Sequence, residues 1–139
     1  MDSLLRLIDC YLNSRRTILS ALDAQKFGVT KMAAFVDVSH AVIFNRRRDH
    51  TTWRPCELAR LANELHMTST AITSLRLVAP QLVCLPEPLL RRLMRETPLD
   101  RKKLGVRSKD YNCWQYDELV LLASSLRRWQ ETNVNIPSV

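Results

Sequence analysis

The chain has 139 residues, a length that one domain usually fills. Hydrophobic residues make up 46% of it, enough for a sizeable core, and an excess of lysine and arginine gives a formal net charge of +7. Only two glycines occur, Gly28 and Gly105, so neither GxGxxG nor GxxxxGK[ST], the phosphate-holding loops of nucleotide-binding folds, can be written. Leucine, alanine, arginine and glutamate dominate instead, and these residues predict an all-α fold.

The first half of the chain predicts three helices. Apolar residues recur at helical spacing over residues 3–25, and Gly28 follows where a helix would end. A second helix, capped by a threonine at its start, is predicted over residues 30–47. Residues 48–54 are polar and predict a turn, after which a proline introduces a third helix over residues 56–66.

The second half predicts three further helices. The fourth covers residues 71–79, and Pro80 is expected to kink or end it because proline has no amide hydrogen to donate. The fifth covers residues 87–96. Residues 98–113 predict one short helix followed by a loop, and the last long helix covers residues 115–130.

These elements predict one helical domain over residues 1–130 and a polar, extended tail over residues 131–139. About six helices would pack as a small orthogonal bundle or as a short stack of helix pairs. The first helix is amphipathic and carries three arginines, as organellar targeting segments do, although two aspartates also lie in it. We interpret it first as a structural helix and second as a retained targeting signal.

Two stretches of the chain share one signature. Residues 53–65 and 114–126 both match W-x3-E-L-x2-L-A-x2-L, with an offset of 61 residues. A weaker third copy begins at Phe27. The leucine spacing makes one apolar stripe, and the alanine allows a neighbouring helix to approach closely. The match predicts a short stack of helix pairs, unless two amphipathic helices coincide in this way by chance.

The longer pattern P-x-E-L-A-x2-A-x2-L, which begins at Pro55 and is followed by a second helix, resembles the helical-repeat proteins of organelle RNA metabolism. These are the octotricopeptide-like and heptatricopeptide-like families. The resemblance covers residues 53–83 and 114–128. It implies α–α repeats, contact with RNA, and residence in a mitochondrion, a plastid or an organellar ribosome.

The stretch from Leu61 to Leu75 also resembles a helix-turn-helix, with Ala62 at the small-residue position. His66 stands where that family most often has glycine. This resemblance implies that short polar side chains and one arginine would face a DNA groove, namely Ser69, Thr70, Thr73, Ser74 and Arg76. The alternative is two packed helices joined by a tight turn.

Basic residues form three clusters that predict contact with nucleic acid. The candidate site residues are Arg46, Arg47 and Arg48, then Arg91, Arg92 and Arg95, and finally Arg101, Lys102, Lys103, Arg107 and Lys109. An anionic membrane surface or an acidic protein is the next candidate partner, and solvated helix ends are the alternative. Tyr111 and Trp114 follow the last cluster and would either stack on unpaired bases or lie in the core.

Cysteine and histidine spacing predicts no metal site and no cofactor. The four cysteines form no CxxC, and the three histidines complete no zinc pattern. No secretory signal is visible, so we expect a reducing compartment with free, buried thiols. The resemblance to organellar helical-repeat proteins, together with the N-terminal helix, implies a mitochondrial or other organellar matrix. No run of about 18 apolar residues is present, so no transmembrane segment is predicted.

No set of residues suggests convergent catalytic groups, and the sequence predicts a protein that is not an enzyme. The leading hypothesis is a non-catalytic, RNA-associated helical protein, a structural subunit of a ribonucleoprotein such as an organellar ribosome, with ribosomal RNA and neighbouring proteins as partners. The first alternative is a helix-turn-helix regulator that binds duplex DNA. The second is a protein-only adaptor or accessory subunit of a large assembly.

Overall fold

The structure is a computed structural model that describes residues 2–134. Every regular element in that range is helical, so the all-α prediction is confirmed. The α-helices are α1 (Asp2–Gln25), α2 (Val29–Val36), α3 (His40–Arg48), α4 (Pro55–Glu64), α5 (Thr70–Thr73), α6 (Val78–Val83), α7 (Glu87–Glu96), α8 (Arg101–Lys109) and α9 (Tyr116–Val134). The 3₁₀ helices are η1 (His50–Thr52), η2 (Ser74–Leu77) and η3 (Tyr111–Cys113). Between Asp2 and Val134 no helix is both long and apolar enough to cross a membrane.

The helices between residues 2 and 134 are more numerous than the six predicted, because two of the predicted helices are divided. The single helix predicted over residues 30–47 is wrong: the chain breaks it after Val36, where Asp37 adopts a left-handed conformation with φ of 56°. Ser39 then caps α3, because its side-chain oxygen accepts a hydrogen bond of 3.3 Å from the amide of Val42.

Pro80 is predicted to kink or end the fourth helix, but the chain remains helical through it to Val83. Helices α5, η2 and α6 follow one another without a gap, and Pro80 lies in the first turn of α6. An amide hydrogen has no intrahelical partner at that position, so proline is tolerated there. The tighter 3₁₀ turn of η2 precedes it.

The C-terminal region follows its prediction more closely. Residues 98–113 contain one short helix, α8, and then η3. Asp100 begins α8 as its N-cap, since its carboxylate accepts a hydrogen bond of 2.7 Å from the amide of Lys103. Helix α9 continues to Val134, which places the first residues of the predicted tail in the helix. Residues 135–139 lie outside the described part of the chain.

The core is a single apolar cluster to which each α-helix contributes. Helix α1 contacts α4, α5, α6 and α9, and it buries Leu4, Ile8 and Ile18 almost completely. In a linear stack of repeats each unit touches only its neighbours in sequence. The contact between the first and last helices therefore makes the domain a bundle closed around α1.

Candidate nucleic-acid interface

The first copy of the tryptophan-containing signature holds a nearly buried ion pair. Glu57 in the first turn of α4 accepts two hydrogen bonds from Arg46 of α3, at 2.9 Å from Nε and 3.3 Å from Nη2. The same carboxylate accepts a bond of 3.0 Å from the backbone amide of Arg54, the N-cap of α4. One glutamate therefore joins two helices and caps one of them.

The second copy repeats this arrangement 61 residues later. Arg107 of α8 donates to Glu118 of α9 at 3.0 Å from Nε and 2.8 Å from Nη2. Glu118 also accepts a bond of 3.0 Å from the amide of Gln115. The two copies thus share the hydrogen bonds between an arginine, a glutamate and a backbone amide as well as the leucine spacing.

The turn between the two helices is repeated as well. Asp49 and Asp110 each accept a hydrogen bond from the amide two residues later, and each begins a 3₁₀ helix that ends before a buried tryptophan, Trp53 or Trp114. The two units contact each other reciprocally, since η1 packs on α9 and η3 packs on α4. The sequence match therefore extends over residues 39–65 and 100–126, two segments that we call the first and second units.

The weaker copy that begins at Phe27 lacks the ion pair and the capped helix start that the first and second units share. Lys31 stands where Glu57 and Glu118 stand, and Gly28 provides no side-chain cap for α2. Met32 and Val36 are nevertheless buried on the expected stripe. The third match is thus limited to the apolar spacing.

The structure divides the predicted basic residues into two groups. Arg46 and Arg107 are held inside the protein by Glu57 and Glu118, so these two arginines are not available to contact RNA phosphates. They are structural residues of the two units.

Four other predicted arginines are exposed to different degrees but already bind within the chain. Arg91 and Arg101 share Glu87, at 3.3 and 2.5 Å. Arg92 pairs with Glu96 at 3.0 Å and lies over the ring of Trp129. Arg47 donates to the carbonyl oxygen of Phe27 and to Met32. Pairs on the surface contribute little stability, so a phosphate can replace these partners at small cost.

Of the predicted basic residues, four have no hydrogen-bonding or ionic partner within residues 2–134. We call them the free cations: Arg48, Arg95, Lys102 and Lys109. All four side chains are exposed. Lys103 is also exposed, although its ammonium donates to the carbonyl oxygen of Pro98 at 2.8 Å.

The two candidate stacking residues have different environments. Trp114 is 3% exposed and belongs to the core, so it is not available to stack on an unpaired base. Its indole nitrogen is buried without a hydrogen-bond partner among the described residues. Tyr111 in η3 is half-buried and packs against the core. Of the two predicted alternatives, stacking on a base or lying in the core, the second is therefore confirmed for Trp114.

The helix-turn-helix segment has a suitable turn but an irregular second helix. His66 adopts φ of 55°, the left-handed conformation that glycine supplies in such turns. The second helix is only the four residues of α5 before the 3₁₀ helix η2 begins. Of the side chains proposed to face DNA, Thr70 and Arg76 are exposed, and the others are half-buried: Ser69, Thr73 and Ser74.

The expectation of buried thiols is wrong. Cys10 and Cys84 are exposed, while Cys56 and Cys113 are half-buried, and all four thiols are free. Burial and the neighbouring Glu57 carboxylate raise the pKa of the Cys56 thiol. Among residues 2–134, no group of three histidine, cysteine or acidic side chains lies together as metal ligands would.

Comparison of the chain with protein-family models, with curated proteins and with solved structures finds no match. The function is therefore inferred from the residues of this chain alone.

Proposed function

We propose that the protein is a non-catalytic, RNA-associated helical protein and a structural subunit of a ribonucleoprotein, such as an organellar ribosome. The observation that carries this proposal is the set of free cations. Two of them, Arg48 and Lys109, are the last residues of α3 and α8, and they stand 61 residues apart at the same position of the two units. Each unit thus presents one uncompensated cation at the same place.

The proposed RNA contacts lie at the end of α3 and on α7 and α8, where the Arg101–Glu87 ion pair joins α8 to α7. Arg95 on α7 and Lys102 in the first turn of α8 add two more charges. Neutralisation of RNA phosphates by such cations releases counterions, which makes binding strongly dependent on salt. Arg91 and Arg101 lie close by, since both bind Glu87, and they are available to exchange this partner for phosphate.

A salt titration of RNA binding tests the proposal. We expect that changing all four free cations to glutamine lowers the slope of log K against log salt by about 3 for a single-stranded RNA, since each lost phosphate contact removes about 0.7. Fluorescence anisotropy with a structured RNA and a single-stranded RNA gives both slope and affinity.

A matched control removes the same charge elsewhere. Four exposed cations from other elements are replaced together: Arg6→Gln, Lys26→Gln, Lys31→Gln and Arg54→Gln. If this control lowers the slope as much as the free-cation variant does, RNA contact is spread over the whole surface and the proposed interface is wrong. Absence of RNA binding by the unchanged protein would exclude the RNA-associated function itself.

A helix-turn-helix regulator is the second candidate, and the left-handed turn at His66 is the observation that favours it. A sequence-selective shift of duplex DNA that is lost on Arg76→Ala would support this function in place of the first. Co-purification of the endogenous protein with other proteins, together with no binding to RNA or DNA, would support a protein-only adaptor.

The resemblance to organellar helical-repeat proteins supports residence in a mitochondrial or other organellar matrix. Helix α1 buries Leu4, Ile8 and Ile18 in the core, so its removal would expose the apolar faces of its neighbours. We therefore propose that α1 stays in the mature protein even if it also directs import. Mass spectrometry of the endogenous protein, with α1 retained or absent, tests this point.

A further inference from the structure

A polar cleft of about 510 Å³ lies between α1, η1 and α9, and none of the free cations lines it. Three arginines and a histidine line it, together with two aspartates: Arg15, Arg16, Arg127, His50, Asp9 and Asp23. Asn13 and Ser20 add neutral polar groups. Such a lining suits a small, charged ligand better than an apolar one.

Arg15 is buried and forms no salt bridge within residues 2–134. The residue is 7% exposed, and the carboxylate of Asp49 interacts with its charge only from beyond salt-bridge distance. Its Nη2 donates to the carbonyl oxygen of His50, its guanidinium carbon lies 4.3 Å from the centre of the Tyr116 ring, and its Nε has no partner. Burial lowers the pKa of Arg15, which reflects how poorly the charge is solvated.

The two other arginines that are mostly buried show what is missing at Arg15. Arg46 and Arg107 each donate two hydrogen bonds to one glutamate, and each charge is thereby compensated. A buried charge without a counter-charge costs several kcal/mol, so it is rare in a protein unless a ligand supplies the counter-charge. Arg15 faces a cleft in which such a ligand can be placed.

The mouth of the cleft provides two more guanidinium groups. Arg16 is exposed, and the side chain of Arg127 is 52% exposed while it donates to Asp9. This pairing neutralises one of the two acidic groups that would otherwise repel an anion. Guanidinium groups bind phosphate oxygens through pairs of parallel hydrogen bonds, and three arginines line this cleft.

We propose that this cleft binds a phosphate group, with Arg15 as the buried counter-charge and Arg16 and Arg127 as the groups that bind at the mouth. The phosphate belongs either to a free phosphate compound or to the backbone or end of an RNA. The site shares no residue with the free cations, so it does not depend on the RNA interface proposed above.

Isothermal titration calorimetry with inorganic pyrophosphate at low salt tests the site on the full chain. We expect Arg16→Gln and Arg127→Gln each to weaken binding by about ten-fold, the loss expected when a hydrogen bond to a charged group is removed. Arg127→Gln should have the larger effect because it also frees the Asp9 carboxylate. Asp23→Asn should act in the opposite direction and strengthen binding several-fold, because it removes a like charge from the lining.

The control is the double variant Lys102→Gln with Lys109→Gln, which has the same charge change as the two cleft variants combined. It should leave pyrophosphate binding unchanged. Arg15→Met adds a second measurement: its folding is checked by circular dichroism, and a folded variant should bind no pyrophosphate.

A second titration identifies the source of the phosphate. In the RNA titration the control is Arg6→Gln with Lys31→Gln, two exposed cations that belong to neither proposed site. If the cleft variants weaken pyrophosphate binding but weaken single-stranded RNA binding no more than this control does, the ligand is a free phosphate compound. If they weaken single-stranded RNA binding more than this control does, the phosphate is that of RNA. If neither probe responds to the cleft variants beyond its control, the site is wrong, whatever the free cations do in RNA binding.

Discussion

The first and second units have the same local structure but differ in how deeply they bury the ion pair at their centre. In the first unit, 15% of the Arg46 side chain and 6% of the Glu57 side chain are exposed, whereas the values for Arg107 and Glu118 are 8% and 4%. The pattern of residues sets the geometry of the pair. The helices packed around the pair determine how much water reaches it, and therefore how strongly its removal is felt.

The second unit also supports its arginine with additional contacts. Arg107 donates from Nη1 to the carbonyl oxygen of Lys103 at 3.3 Å, and its guanidinium carbon lies 5.7 Å from the centre of the Trp114 ring. Arg46 has no such contacts among the described residues. These contacts hold the Arg107 guanidinium where less water reaches it. The stability of the second unit should therefore depend more strongly on the Glu118 carboxylate than that of the first unit depends on Glu57.

The largest expected effect is that of Glu118→Gln. The change keeps the size of the side chain but leaves Arg107 buried without a counter-charge, and we expect a loss of about 3–5 kcal/mol in the free energy of unfolding. Urea denaturation at neutral pH, followed by circular dichroism, measures it. A loss below about 1 kcal/mol, the range of surface pairs, would mean that water solvates this pair as well.

The equivalent change in the first unit, Glu57→Gln, should cost less. The Arg46 side chain retains contact with water, so we expect a loss of about 2 kcal/mol, between the values for surface and fully buried pairs. The same urea series measures both variants. A greater loss for Glu57→Gln than for Glu118→Gln would show that exposure is not what distinguishes the two units.

Much of this comparison was present in the sequence. The tryptophan signature identified both units, and the all-α composition was confirmed. The signature begins at the tryptophans, however, and therefore does not include Arg46 and Arg107. The sequence analysis accordingly predicts that both arginines contact nucleic acid. An alignment begun at the N-caps Ser39 and Asp100 would have placed each arginine eleven residues before a glutamate in both copies.

Other features could not be predicted because they depend on contacts between distant parts of the chain. The contacts of Arg15 with His50 of η1 and Tyr116 of α9 are of this kind. Helical spacing does place Arg15 on the buried stripe of α1, with Tyr11 and Ile18, and leaves Arg16 off it, but the spacing does not identify these partners. The break after Val36 has a different, local cause. Glycine usually occupies a left-handed position at the end of a helix, but here the residue is Asp37, so the sequence does not indicate the break.

The N-caps of α3 and α8 provide a smaller difference between the units. We expect Asp100→Ala to cost about 1 kcal/mol and Ser39→Ala about 0.5 kcal/mol. The carboxylate of Asp100 makes the shorter hydrogen bond, 2.7 Å against 3.3 Å, and its charge is favoured at a helix N-terminus. Thermal and urea unfolding measure both, and Asp100→Asn, which keeps an acceptor, should recover most of the loss. Equal losses at the two caps would contradict this assignment.

The smallest effect concerns the aspartates that begin the 3₁₀ helices. Asp49 accepts hydrogen bonds from the hydroxyl of Thr51 at 2.6 Å and from its amide at 3.0 Å, and these bonds hold the pKa of the Asp49 carboxyl below its ordinary value of 3.8. In the second unit Asn112 stands in place of Thr51, and Asp110 accepts from its amide at 3.0 Å without a hydroxyl.

We therefore expect Thr51→Val to raise the pKa of Asp49 towards 3.8, as measured by NMR titration of the carboxyl carbon. Because the folded pKa is the lower one, the stabilisation is present above the unfolded-state pKa and is lost as the pH falls through the folded one. The difference in stability between the unchanged protein and Thr51→Val should accordingly be larger at neutral pH than near pH 3, while Asn112→Ala at the equivalent position should leave the Asp49 titration unchanged. A pKa of Asp49 that does not move in Thr51→Val would show that the Thr51 hydroxyl does not lower it.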